Sequence, residues 1–253
     1  MLKSLARSPS RERSIVIDNL TGANSSDELP PSISRPGGGG KFTSSGEPLN
    51  FPGNTFIYSV NPRTYFYEAL CKMQRGLKEL PQASHFTFLP EPSFHMTQFC
   101  GVSGSPLGSD GWPKEFERGT GLREITECYL RRFKMLQLPQ RVSVKPVGPD
   151  SPNRIRMEPA SEKDARALQQ IRDSLQDLTG IYRADISSYR FHVTLSYQTK
   201  WLETAAAEAY WDAATDLYDT YLDSVRQVDF GPLEFCEFDT MHHFPALALI
   251  DDS

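Results

Sequence analysis

Two short stretches, FHMTQF at Phe94 to Phe99 and FHVTLS at Phe191 to Ser196, share the order Phe, His, apolar residue, Thr. The chain holds only five histidines in 253 residues, so the repetition needs a reason. Side chains alternate between faces along a strand. On strands, His95 and Thr97 therefore share one face, and so do His192 and Thr194, while Phe94, Met96, Phe191, Val193 and Leu195 turn to the layer behind. Two such strands facing a common cleft would present two imidazoles and two hydroxyls. That set suits phosphodiester chemistry. A neutral imidazole takes a proton from the attacking water or hydroxyl, and a protonated one gives a proton to the leaving oxygen. With an unperturbed pKa of about 6.5, imidazole supplies either form near neutral pH. The threonine hydroxyls can donate to the non-bridging oxygens, where charge gathers in the transition state. The scheme calls for no metal and no cofactor.

A single His-x-Thr triplet means little, and HFT at His85 to Thr87 is a third. His95 ranks above His85 because only FHMT shares with FHVT the preceding Phe and the apolar third position. The plain alternative is a pair of partly buried strand histidines beside sheet-favouring threonines. Strand alternation also carries Arg190 and Ser196 to the face of His192, where they are candidates for binding a phosphate oxygen. Tyr58 and Phe99 could stack on a base, although core packing explains both. His242 and His243 are adjacent and point apart on a strand, a poor geometry for joint metal binding. No metal site is expected.

The elements that must position these residues are legible as alternating strands and helices. NTFIYSV (54–60) reads as a strand, followed by a helix capped by Thr64 with Phe66, Leu70, Met73 and Leu77 on one stripe. SHFTFLP and FHMTQFCGV read as strands, and LREITECYLRRFKML as a helix. RVSVKPV and RIRMEPA form a predicted hairpin. A helix then opens at Ser161 with Leu168, Ile171 and Leu175 inward and stops at Gly180. YRFHVTLSY is the next strand, a long helix covers about 200–226, and PLEFCEFDTM and FPALALI are the last strands. The expected class is α+β: a bilobal, pseudo-two-fold arrangement of antiparallel sheets with helices on the outer faces and a central cleft. Residues 1–50, rich in Ser, Pro, Gly and charge, read as a disordered or loosely attached tail, leaving 51–253 as the domain. GGGG at Gly37 to Gly40 reads as linker rather than phosphate loop, since no Lys-Ser/Thr follows it.

Composition narrows the function classes. Hydrophobic residues make up 38% of the chain and the net charge is −5, which disfavours a protein that grips long nucleic acid through its phosphates. A local positive pocket for a nucleotide or a short RNA end remains compatible. No apolar run approaches the roughly 20 residues of a membrane span. The four cysteines are scattered without a C-x-x-C pair, as in a reducing compartment. A cytoplasmic monomer is expected, with nuclear placement left open and a mitochondrial presequence compatible with the Arg- and Ser-containing start.

The two His-x-Thr motifs on strands of two related lobes resemble the 2H phosphoesterase superfamily, named for its two histidines. It includes RNA 2′–5′ ligase-like proteins, 2′,3′-cyclic nucleotide phosphodiesterases and the AMP-binding domain of some kinase-anchoring proteins. KFTSSGEPLNFPGNTF is similar to the opening of one uncharacterised branch. The resemblance covers roughly residues 41 to 250. It implies a bilobal fold, a catalytic pair at His95 and His192, and phosphate contacts from Thr97 and Thr194. The expected activity is metal-independent hydrolysis of a 2′,3′-cyclic phosphate or a related small RNA-derived phosphodiester. The alternative is a nucleotide-binding module of the same fold without turnover.

Overall fold

The computed structural model of the protein describes residues 9–33, 38–109, 111–183 and 189–250. Its centre is a unit that occurs twice: a strand, a helix, and a motif strand that returns antiparallel to the first. In the first copy these are β1 (Gly53–Ser59), α2 (Tyr65–Lys78) and β3 (His95–Ser103), with β1 paired to β3. In the second they are β5 (Arg154–Pro159), α4 (Glu162–Thr179) and β6 (His192–Thr194), with β5 paired to β6. The local signals act as read. Thr64 and Ser161 accept from the backbone N–H of Tyr67 and Asp164 at the helix starts, and Gly180 ends α4 in the left-handed conformation, at φ 66°.

The expected pair of sheets is one continuous sheet instead. β9 (Leu233–Phe238) and β10 (Ala246–Ile250) extend the first unit, while β4 (Val142–Ser151) and β8 (Val228–Phe230) extend the second. The order is β10-β9-β1-β3-β6-β5-β4-β8, antiparallel throughout and curled into a half-barrel. Two four-stranded halves thus meet at β3–β6, the two motif strands. The last two strands, which sequence order places with the second half, complete the first one, because β9 pairs with β1.

Behind the motif strands the sheet is sealed. Met96, Val193 and Ile155 are fully buried, α4 packs on β3, β4 and β5, and Gln98 Nε2 donates to Leu168 O at 2.8 Å. Arg172 of α4 lies over the rings of Tyr189 and Phe191, 4.8 and 4.5 Å from their centroids. Near β1, an aromatic cluster of Phe56, Phe133 of α3 (Leu122–Phe133) and Phe235 fills the core, with Phe56 and Phe235 stacked at 4.7 Å.

The reading of residues 1–50 as a loose tail is corrected for 9–33 and 38–50. Pro9–Thr21 forms helix α1, and Val16, Ile17 and Leu20 are buried where α1 packs on α5 (Thr204–Tyr221). Leu20 O accepts from Leu202 N and Gln198 Nε2, at 3.0 and 2.7 Å, and Trp201 Nε1 donates to Asp27 O. The stretch SIVIDNL carries the apolar spacing of a short helix, but its Ser-, Arg- and Pro-rich flanks dilute the window. Gly37 lies outside the described residues. Gly39 is far from a free linker position, since a Cβ there would stand 1.4 Å from Ser105 O.

After Thr194 the motif strand leaves the main sheet. β7 (Ser196–Gln198) pairs instead with β2 (Phe86–Phe88) in a separate two-stranded sheet. The crossover at Leu195 is fixed by its carbonyl, which accepts from Leu89 N at 3.0 Å and from Gln74 Nε2 at 2.9 Å. Gln74 is fully buried and also donates to Leu89 O. Removing such a donor leaves buried carbonyls short of partners, a cost of about 1–3 kcal/mol. Gln74→Leu is expected to lower stability by that amount in chemical unfolding; an unchanged midpoint would show that Gln74 does not clamp the crossover.

Candidate active site

The motif strands β3 and β6 are hydrogen-bonded neighbours in the register Met96 opposite Val193. One residue to either side, the antiparallel register sets His95 opposite Thr194, and Thr97 opposite His192. Directly opposed residues point to the same face. The four motif side chains therefore form a square in which like residues occupy diagonal corners, with the two histidine Cα atoms about 7–8 Å apart. β5 continues the face: Arg154 opposes Thr194, and Arg156 opposes His192. On the other flank β1 sets Ser59 opposite His95, and Ser59 Oγ donates to Glu234.

Both histidines are fixed by the same device. His95 Nδ1 lies 2.7 Å from Ser93 O, and His192 Nδ1 lies 2.9 Å from Arg190 O, each a carbonyl two residues upstream. A carbonyl only accepts, so Nδ1 carries hydrogen in both rings. Each neutral ring then keeps its lone pair on Nε2, free to take a proton. His95 is lowered to about 4, first by burial, against the upward pull of its carbonyl partner and with the charges of His192 and Lys41 adding to the lowering. His192 is lowered too, first by burial and then by Arg154, with Arg190 O and Asp150 opposing. Phe244 presses on His95 at a centroid distance of 4.4 Å. Both shifts favour neutral rings at pH 7.

His192, Thr194 and Ser196 line a cleft of 480 Å³ together with Lys41, Asn153 and Arg154. Its far wall is α1 and the chain after it, including Asn19, Pro30 and Ser32. Ser196 Oγ is buried without a hydrogen-bond partner. Its carbonyl accepts from Asn153 Nδ2 at 2.9 Å, so the backbone is held while the hydroxyl stays available to a ligand. His95 and Thr97 stand one strand away on the same face. Arg190 does not reach this cleft. Its side chain lies 3.5 Å from Asp150 and lines an adjoining cleft of 690 Å³, which shares Arg154, Val16 and Asn19 with the first. Its part in the histidine cleft comes through its carbonyl.

His85 and Thr87 fall elsewhere. His85 ends a 3-10 turn, Pro81–His85, rather than sitting in a strand, and Thr87 Oγ1 donates to Gly46 O. Tyr58 and Phe99 are core residues, packed on Phe230 and Phe56. His242 sits beside the Phe42 ring. Three site-facing cations escaped the sequence reading. Arg154 and Arg156 alternate on β5 within RIRMEP, a signal that gains meaning only once β5 is known to neighbour β6. Lys41 arrives from the segment read as tail, and nothing local in the sequence points it at the cleft.

Residues 41–151 match the family model described as 2H-phosphodiest, a domain of unknown function (DUF1868). The matched span contains the first motif and ends before the second. No curated protein matches the chain. The crystal structure of ATU0111, a conserved protein of unknown function from Agrobacterium tumefaciens, is similar with a TM-score of 0.78 and 28% sequence identity. That similarity covers 93% of this chain and 98% of the other, and so extends past the second motif.

The depressed pKa of His95 has a consequence for stability. The folded chain holds the ring neutral down to about pH 4, whereas the unfolded chain protonates it near 6.5. The stabilisation is complete above about pH 6.5 and drains away as pH falls to about 4. Urea unfolding at pH 7.5, 5.5 and 4.5 is expected to show a steeper acid loss for the wild type than for His95→Gln. Parallel losses in the two proteins would contradict a neutral, desolvated His95.

Proposed function

We propose, because the chain belongs to the 2H phosphoesterase superfamily, that it is a metal-independent phosphoesterase hydrolysing a 2′,3′-cyclic phosphate or a related small RNA-derived phosphodiester. The observation that carries this reading is the diagonal placement of His95 and His192 on adjacent strands, each with Nδ1 committed to a carbonyl. A phosphorus centred over the square has one Nε2 on the side of attack and the other on the side of departure. Water attacks phosphorus while one ring takes its proton. The bond to one ribose oxygen breaks as the other ring protonates that oxygen, leaving a phosphomonoester and a free hydroxyl. Thr97 and Thr194, at the remaining corners, donate to the non-bridging oxygens.

The free protein holds both rings neutral, so the acid must gain its proton with the substrate. A bound phosphate anion supplies the driving force, since a negative charge within a few ångströms favours imidazolium. Arg154 and Ser196 add a cation and an available hydroxyl beside Thr194. The adjoining cleft supports a substrate longer than a mononucleotide: Arg13, Arg156 and Arg190, paired with Asp212, Glu158 and Asp150, line it together with Trp211, so that phosphates exchanging with those carboxylates would find guanidiniums and a ring to stack on.

Hydrolysis of 2′,3′-cyclic nucleotides and of short cyclic-phosphate-ended RNA, assayed with excess chelator, tests the reading. His95→Ala and His192→Ala are each expected to cut kcat/KM by about 10²–10⁴-fold. Turnover lost on chelation, or retained in both variants, would overturn the two-histidine mechanism; nucleotide binding without turnover would favour a binding module. A second comparison addresses substrate length. One exposed ionic contact is worth about 1 kcal/mol, or roughly fivefold. Arg190→Ala is expected to raise KM by that factor for the RNA end and leave the cyclic mononucleotide unchanged; equal effects on both would remove the adjoining cleft from the substrate path.

A further inference from the structure

The segment before β1 delivers a charge to the cleft, and its backbone is built to hold that charge in place. Lys41 N donates to Ser32 O at 2.8 Å, and Lys41 O accepts from Leu49 N at 2.9 Å. The following residue, Phe42, is fully buried against Tyr197, with ring centroids 5.1 Å apart. Lys41 Nζ stands 5.3 Å from the ring centroids of both Phe51 and Tyr197, and the residue lines the cleft with His192, Thr194, Ser196 and Arg154.

We propose that Lys41 is a substrate-binding cation of the same site, its ammonium donating to a non-bridging oxygen of the bound phosphodiester opposite the threonines. The proposal rests on the phosphoesterase reading and adds a group from outside both motifs. Three considerations support it. Fixing a lysine side chain costs rotamer freedom, which two aromatic faces partly offset through cation–π attraction. Lys41 and Arg154 line the same cleft, so a bound anion there meets two cations, one of them paired with Asp150 at 3.2 Å. Its charge also reaches both imidazoles, lowering each, in an environment where Arg154 and Asp150 are the other charges acting on His192.

Lys41→Met keeps the aliphatic stem between the rings and removes the charge, and Lys41→Arg keeps the charge. Lys41→Met is expected to lower kcat/KM for a cyclic phosphodiester by about 10²-fold, the scale of one lost transition-state donor, with Lys41→Arg recovering at least a tenth of wild-type activity. Two readouts do not depend on turnover. NMR titration should show both imidazoles moving to higher pKa in Lys41→Met, and inorganic phosphate should bind more weakly to that variant than to the wild type. If Lys41→Met fails to fold, Lys41→Gln takes its place in all three measurements. Unchanged imidazole titration with unchanged phosphate affinity would overturn the role of Lys41 even if the enzyme is active. Weaker phosphate binding with shifted titration, in a protein that hydrolyses no phosphodiester, would support Lys41 as an anion ligand while sinking the phosphoesterase reading.

Discussion

The site depends on one short contact between strands. The two halves of the sheet meet where β3 and β6 pair, and Met96 opposite Val193 sets the register of that seam. Because side chains alternate with a period of two, a slip of one residue would turn an entire motif to the opposite face. The slip is opposed from behind, where Met96, Val193 and Ile155 are fully buried under α4. It is opposed at the end of β6 by Gln74 and Asn153, which hold the carbonyls of Leu195 and Ser196. Apolar burial chooses the face, and two side-chain amides, that of Gln74 buried and that of Asn153 half-buried, stop the strand from sliding along it.

The second ordering principle is electrostatic. The face carries Lys41, Arg154 and Arg156 around two imidazoles, while Asp150 lies within 3.2 Å of Arg154 and 3.5 Å of Arg190. With Arg156 paired to Glu158 and Asp150 shared between two guanidiniums, cations still outnumber carboxylates on this face, in a chain whose net charge is −5. The global sign therefore says little about the ligand; the distribution within a few ångströms decides. Neutral imidazoles in that field would gain protons more readily beside a bound anion, which would couple the protonation state of the site to its occupancy.

Much of this was readable in the sequence, for stated physical reasons. Strand alternation alone places His95 with Thr97 and His192 with Thr194, and the caps at Thr64, Ser161 and Gly180 mark helix ends by chemistry that needs no tertiary context. What could not be read depended on neighbours distant in sequence. Arg154 and Arg156 become site residues because β5 lies beside β6, and β9 completes the first half because it pairs with β1. The crossover at Leu195, which carries Ser196 into a second sheet, is set by Gln74 from a helix 121 residues earlier. Helix α1 was obscured for a compositional reason, its few apolar residues being flanked by polar ones.

The outer wall of the cleft has one more implication, for where this domain starts. The family match begins at residue 41, yet α1, docked through Leu20 on the segment entering α5, stands across the cleft from Thr194. A protein trimmed to the matched boundary would begin on the lysine itself. Its amide would become a charged amino terminus without Ser32 to receive it, and the cleft would open into a shallow trough. For this chain, a boundary drawn from sequence similarity cuts through the wall of the histidine cleft rather than around it.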